Sequence, residues 1–145
     1  MQNIFLIPTD KYSGIYKEAD EILVFDPVLY FYDGVDHYHI YITVDEEIEK
    51  EGGFMLDTIQ PDVEDFILPA TNENIEIFNT PPQGWKKIIL TTDPYLIREG
   101  VQPIENEFLE WFVNNPNCER IEVKQGFEDG TEYGYNFLDY KIIIP

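Results

Sequence analysis

The chain has 145 residues, of which 43% are hydrophobic and 15% aromatic, and it carries a formal net charge of −20 at pH 7. That much buriable surface excludes a disordered acidic polypeptide, the length suits a single domain over 1–145, and the charge excludes a chain that holds nucleic acid or anionic lipid by electrostatics. Seventeen Asp and Glu against the single Lys50 put −16 of that charge between Glu18 and Glu76; the acidity belongs to one stretch, which suits a basic partner or serves solubility.

Runs rich in Ile, Val, Tyr and Phe predict short strands over 3–7, 22–25, 28–32, 38–44, 54–56, 75–78, 86–92, 119–124 and 140–144. The segment 60–84, with Pro61, Pro69, Pro81 and Pro82, reads as an irregular excursion carrying one of them. Ile88-Ile89-Leu90 and Ile142-Ile143-Ile144 are unbroken apolar runs, which suits central strands covered on both faces. In 119–124 Ile121 and Val123 alternate with charged neighbours, the pattern of a half-exposed strand.

Two helices are legible. Asp93 can cap, Pro94 fits the first helical position and Gly100 supplies a left-handed stop, so a short helix is expected over 94–99. A second is expected over 103–114, with Ile104, Phe108, Trp111 and Phe112 on one face and Asn115-Pro116 ending it. Asp129-Gly130 is a hairpin-turn dipeptide that would make 119–124 and 140–144 antiparallel neighbours. The sum is an α+β fold: a mostly antiparallel β-sheet, with barrel-like curvature as one form it can take, and one packed amphipathic helix.

The opening residues lack the basic start and long apolar run of a signal peptide, and the apolar runs are far shorter than a membrane span. Cys118 is the single cysteine, so no internal disulfide can form. A soluble, cytoplasmic protein is expected, without a membrane partner.

Candidate chemistry is sparse. His37 and His39, two apart on a strand, share a face and with Asp33 or Asp36 could supply a three-ligand metal site. A dedicated site usually shows a further His or Cys, so they are read as ordinary exposed residues after a turn, and no metal or cofactor is expected. Ser13 is the single serine, and neither a nucleophile elbow nor a phosphate loop is present. Cys118 reads as a small packed residue, and enzymatic activity is not expected. Tyr30, Phe31, Tyr32, Tyr38 and Tyr41 could stack on bases but lack interleaved Lys or Arg, so they are assigned to the sheet.

Two acidic runs are the candidate partner surface: Asp45, Glu46, Glu47, Glu49 and Glu51, and Asp62, Glu64 and Asp65. Neither has the ligand spacing of a calcium loop. Together they could imitate a phosphate backbone and engage a groove evolved for DNA or RNA, with no direct nucleic-acid binding by this chain. Two rivals remain. Trp85, Lys86, Lys87 and Arg98 could instead form a pocket that sequesters a small nucleotide messenger, if two of the cations converge. Alternatively, the role is structural or in assembly.

Asn-Ile-Phe-Leu-Ile-Pro-Thr-Asp-Lys (3–11), the segment 39–52, the block 86–123 with Thr-Thr-Asp-Pro and Gly-Val-Gln-Pro-Ile, and the close Tyr-Lys-Ile-Ile-Ile-Pro (140–145) resemble a family of small accessory proteins of tailed phages and viral metagenomes, mostly of Bacteroidetes-type hosts. The resemblance covers roughly half the chain and departs from the family pattern at Gly53, where relatives tend to carry Asp; residues 53–85 have no counterpart. It implies a viral accessory protein acting in the host cytoplasm, and it brings no catalytic residues. The expected function is therefore non-enzymatic binding of a basic host protein, with inhibition of a nuclease or defence complex as its most concrete form.

Overall fold

A computed structural model describes residues 2–18, 21–26, 35–44, 48, 51–59, 66–78, 84–125 and 140–145. In chain order the elements are β1 (Ile4–Thr9), β2 (Ile15–Lys17), β3 (Leu23–Phe25), β4 (Asp36–Thr43), β5 (Phe54–Asp57), β6 (Ile67–Pro69), α1 (Asn72–Phe78), β7 (Trp85–Thr91), α2 (Pro94–Arg98), β8 (Gln102–Pro103), α3 (Asn106–Phe112), β9 (Glu122–Gln125) and β10 (Tyr140–Ile143). Eight strands form one sheet in the order β3-β2-β4-β7-β5-β6, with β1 on β4 and β8 on β7; β9 and β10 form a separate pair. Every pairing is antiparallel except β7 with β8. The fold is thus α+β and mostly antiparallel. Among the described residues the sheet stays open: β1 and β6 are not paired to each other, and no barrel closes.

β4 organises this sheet. Ile42 to His37 pair with Ile4 to Thr9 of β1 along one edge. The other edge serves two strands in succession: β2 pairs with residues 36–38 and β7 with Tyr41, Ile42 and Thr43. The sheet therefore forks at His39 and Ile40.

Side-chain alternation divides the interior into two main layers. Ile4, Ile40, Ile42 and Leu90 lie in one cluster with Phe108, Leu109 and Phe112 of α3 and with Ile121. Phe5, Ile7, Tyr41, Leu56 and Ile88 lie in another with Leu96 of α2 and Val101. β7 serves both because its register shifts: Ile42 faces Leu90 but Thr43 faces Ile88, leaving Ile89 as a bulge. The run Ile88-Ile89-Leu90 is buried throughout, as its unbroken apolar character predicts. Met55, Ala70, Ile48 and Trp85 make a smaller third cluster.

Two side-chain amides tie the β9–β10 pair to the body. Asn3 donates from Nδ2 to the Ile121 carbonyl and accepts the Ile121 N–H at Oδ1, both at 2.8 Å. Gln102 does the same for Tyr140, donating to its carbonyl at 2.8 Å and accepting its N–H at 2.7 Å. Each amide substitutes for one residue of a neighbouring strand.

Several expected elements differ. Residues 75–78 belong to helix α1: Thr71 accepts the Asn74 N–H at its Oγ1, and this cap outweighs the apolar residues that suggested a strand. The strand of that excursion is β6. The helix expected from 103 begins at Asn106, because Gln102 and Pro103 pair with β7 and the Ile104 N–H bonds to the Thr91 carbonyl. It ends at Phe112, where the chain tightens into turns with the Asn114 N–H on Trp111 and the Asn115 N–H on Phe112. β10 is not central; among the described residues it pairs with β9 alone, and Ile142 and Ile143 are half-buried. The antiparallel pairing of these two strands matches the expectation, while the strand over 28–32 and the turn at Asp129-Gly130 lie outside the described residues.

Helix α2 follows its expected signals. Asp93 accepts the Tyr95 N–H, Pro94 follows the cap, and Gly100 at φ +106° ends the helix with its N–H on Ile97.

Candidate functional site

Of the acidic candidates, Asp45, Glu46, Glu47, Glu49, Asp62, Glu64 and Asp65 lie outside the described residues. Glu51 is exposed and accepts the Asn72 N–H at the start of α1. Elsewhere in the acidic stretch Glu18, Glu21, Asp36, Glu73 and Glu76 are exposed, and Asp26 and Asp57 are half-buried. Glu21 reaches Lys17 at 4.0 Å, an exposed pair of small energetic weight.

The basic candidates are spread apart. Trp85 is buried in the third cluster. Lys86 and Lys87 are neighbours on β7 and so leave it on opposite faces, Lys86 paired with Leu56 and Lys87 with Met55. Arg98 is exposed in the last turn of α2. Neither of the two cavities described below is lined by any of these four.

The histidines correct the expectation that they are exposed: His37 and His39 are 7% and 4% exposed. They share a face of β4 with Tyr41, which packs in one cluster with Leu96 of α2. His37 is built into the loop before β2, its Nδ1 lying 3.1 Å from both the Ser13 N–H nitrogen and the Ser13 carbonyl. Ser13 donates its hydroxyl to the Tyr38 carbonyl at 2.7 Å and accepts the Ile15 N–H. Tyr12 meets the His37 ring edge-on at 5.4 Å. Asp33 lies outside the described residues and Asp36 is exposed; among the described residues no three His, Cys, Asp or Glu converge to hold a metal.

His39 differs from His37. Its Nδ1 is buried and has no hydrogen-bond partner among the described residues. Burial pushes its pKa below the usual value; the Asp93 carboxylate opposes this, and Lys11 and His37 add to it. The imidazole is therefore neutral at neutral pH. Tyr41 donates its hydroxyl to Asp93 Oδ2 at 2.8 Å, and its pKa is raised by burial and by that carboxylate, so it remains a donor.

The segment Thr91-Thr92-Asp93-Pro94 seals the fork. Thr91 donates its hydroxyl to the Ile40 carbonyl at 2.9 Å and accepts the Asp93 N–H, while the Thr92 hydroxyl oxygen accepts the Ile40 N–H at 2.9 Å. Two adjacent hydroxyls thus add to the bond from the Thr92 N–H to the Ile40 carbonyl at 3.1 Å where β2 and β7 diverge. The result is a notch of about 240 Å³, lined among others by Tyr12, Phe25, Asp26, His39, Thr92 and Asn106. Gly14 closes one wall. A Cβ there would stand 2.7 Å from the Asp26 carbonyl oxygen, so the approach of these two backbones requires glycine.

Among the described residues of the lining Asp26 is the one acidic residue, and none is Lys or Arg. A second cavity of about 340 Å³ lies between α3 and β10, lined by Gln102, Glu105, Phe108, Tyr140 and Ile142 among others.

Sequence reasoning singled out His37 and His39 but not the notch. The usable signal was Thr91-Thr92-Asp93-Pro94, whose hydroxyls and cap precede a helix; the fork itself depends on the register of three strands against β4. No described helix is long and apolar enough to cross a membrane. No family model, curated protein or solved structure matches the chain.

Proposed function

We propose that this chain is a non-enzymatic viral accessory protein that binds the basic surface of a host protein in the cytoplasm through its acidic stretch, imitating nucleic acid and so inhibiting a nuclease or defence complex. The observation that carries the reading is the placement of −16 of the −20 net charge between Glu18 and Glu76. The exposure of Glu18, Glu21, Asp36, Glu51, Glu73 and Glu76 supports it, since these residues lie at the surface, where charge complementarity across an interface can act. The likeness to tailed-phage accessory proteins over 3–11, 39–52, 86–123 and 140–145 supplies the viral setting.

A nucleotide trap at Trp85, Lys86, Lys87 and Arg98 has less support, because Lys86 and Lys87 diverge from one strand and Trp85 is buried. The test is affinity capture from cells producing the chain, with wild type beside a variant carrying Glu46→Lys, Glu47→Lys and Glu49→Lys. A basic protein retained by wild type, lost by the variant and displaced by free DNA is expected. A phosphate-bearing small ligand that is lost with Lys86→Ala or Arg98→Ala, and indifferent to the acidic reversal, would overturn the reading.

A further inference from the structure

Strand β10 has one edge turned away from β9, and the groups on it can be assigned residue by residue. Tyr140 gives both its N–H and its carbonyl to the Gln102 side chain. In an antiparallel pair such a residue points both groups away from its partner strand, and the residues on either side of it point theirs inward. Lys141 and Ile143 therefore bond to Lys124 and Glu122 of β9, and Ile142 turns its N–H and carbonyl to the same side as Tyr140. Ile144 is next in that alternation, and it packs with Tyr140 and Ile142 against the first cluster. Among the described residues neither Ile142 nor Ile144 has a backbone partner on this side. Gln102 supplies one residue of a third strand, and the pairing stops there.

The cavity of about 340 Å³ lies beside this edge, with Leu90, Phe108, Ile142 and Ile144 in its apolar lining. Its charged lining is Glu105 and Glu107, both exposed, with Lys141: two carboxylates to one ammonium. Glu105 precedes α3 without accepting a bond from it, so the helix does not engage its carboxylate. An unpaired strand edge is a template for a further strand, and charge decides which strand suits it. A second copy of the chain would bring another −20 against a net charge of −20. A basic segment meets the excess carboxylate instead. We infer that β10 receives an extended segment of the basic partner as a third strand beside β9. Its main chain pairs with Ile142 and Ile144, an apolar side chain enters the cavity over Leu90 and Phe108, and a basic one reaches Glu105 and Glu107.

The inference rests on the basic-partner reading, to which it adds a contact outside the acidic stretch, yet it can be tested without the partner. The peptide acetyl-Val-Val-Arg-Arg-Val-Val amide, which carries both residue types on each face, is titrated into the isotope-labelled protein. At about 0.15 M salt, long-range attraction to the acidic stretch is screened beyond about 8 Å. Saturable shifts of the Ile142 and Ile144 amides and of the Gln102 side-chain amide are expected, with slower hydrogen exchange at both isoleucines. A copy with Glu in place of both arginines should bind at least about tenfold more weakly, because it meets like charge. A copy N-methylated at both arginine backbone nitrogens keeps the charge but loses one donor on each edge, and should bind at least about fivefold more weakly.

On the protein, Glu105→Lys combined with Glu107→Lys, both at exposed positions, should weaken the arginine peptide at least about fivefold. Ile142→Pro removes the outward N–H without touching a bond to β9, and should weaken it about as much. The exposed pair keeps the test open if the proline variant fails to fold. Equal binding of the acidic or the N-methylated copy, no saturable shift at Ile142 and Ile144, or indifference to the reversal at Glu105 and Glu107 would each overturn the inference. So would a dimer in sedimentation that protects the two isoleucines and excludes the peptide. In that event a basic partner captured in the preceding experiment, and lost on reversal at Glu46, Glu47 and Glu49, would still stand. The expected peptide response with no basic protein captured would instead overturn the basic-partner reading alone.

Discussion

His39 is a buried neutral imidazole, and its burial has a pH consequence that can be signed. In the unfolded chain a histidine titrates near 6.5, whereas in the fold its pKa is lower. Above pH 6.5 both forms are neutral and the contribution of His39 to stability is fully present. As the pH falls through 6.5 toward the folded value, the unfolded chain takes up a proton that the folded chain refuses, and stability declines by at most about 1.4 kcal/mol per pH unit. Replacing His39 by Gln removes this dependence, while the many carboxylates titrate alike in both proteins. The stability of wild type minus that of His39→Gln, from urea unfolding, should therefore shrink between about pH 7.5 and 5. A constant difference would show that His39 titrates normally. At the same scale, Asn3 bridges two backbone groups of the buried Ile121. Asn3→Asp keeps the shape and the acceptor for the Ile121 N–H but turns the donor into an acceptor facing the Ile121 carbonyl, so a loss of about 2–4 kcal/mol is expected from one buried bond lost and the repulsion that replaces it. Gln102→Glu should be milder, because Gln102 and Tyr140 are only half-buried. Chemical denaturation of both variants checks the order.

Helix α3 is the element whose packing the sequence conveyed best, and it shows where that reading stops. Phe108 and Phe112 stack at 5.7 Å in the first cluster and are each 1% exposed, as the helical spacing predicts. Trp111, assigned to the same face, is half-buried and lies against Phe108 at 5.7 Å. Phe108→Ala should therefore cost about 3–5 kcal/mol, and Trp111→Ala clearly less, because part of its ring already meets water. Equal losses in denaturant unfolding would place Trp111 in the core. Elements with local chemistry were legible: α2 from Asp93, Pro94 and Gly100, and β9 from Ile121 and Val123. The elements that were missed lacked it. β2, β6 and β8 span three, three and two residues, too few for a period to register, and they exist because β4, β5 and β7 offer edges to pair with. α1 was misread because Ile75 and Ile77 fit a strand as well as a helix, and only the Thr71 cap decides. The notch was illegible for the same reason as β2: it is made by where two strands leave β4.

For the molecule as a whole, the placement of charge is plain in the sequence and is the basis of the proposed role. The fold adds that the described carboxylates of the acidic stretch are exposed or half-buried, while the aromatic and aliphatic residues supply the interior. A surface of this kind attracts a basic partner over distances set by the ionic strength and contributes little to the stability of its own fold. The most direct test of the central claim is the affinity for the captured basic partner, measured by calorimetry across a salt series from about 0.01 to 1 M, over which the screening length falls from about 30 to about 3 Å. The account predicts a steep loss of affinity with salt for wild type and a shallower slope for the variant reversed at Glu46, Glu47 and Glu49. An affinity that salt leaves unchanged, or the same slope in both proteins, would contradict it.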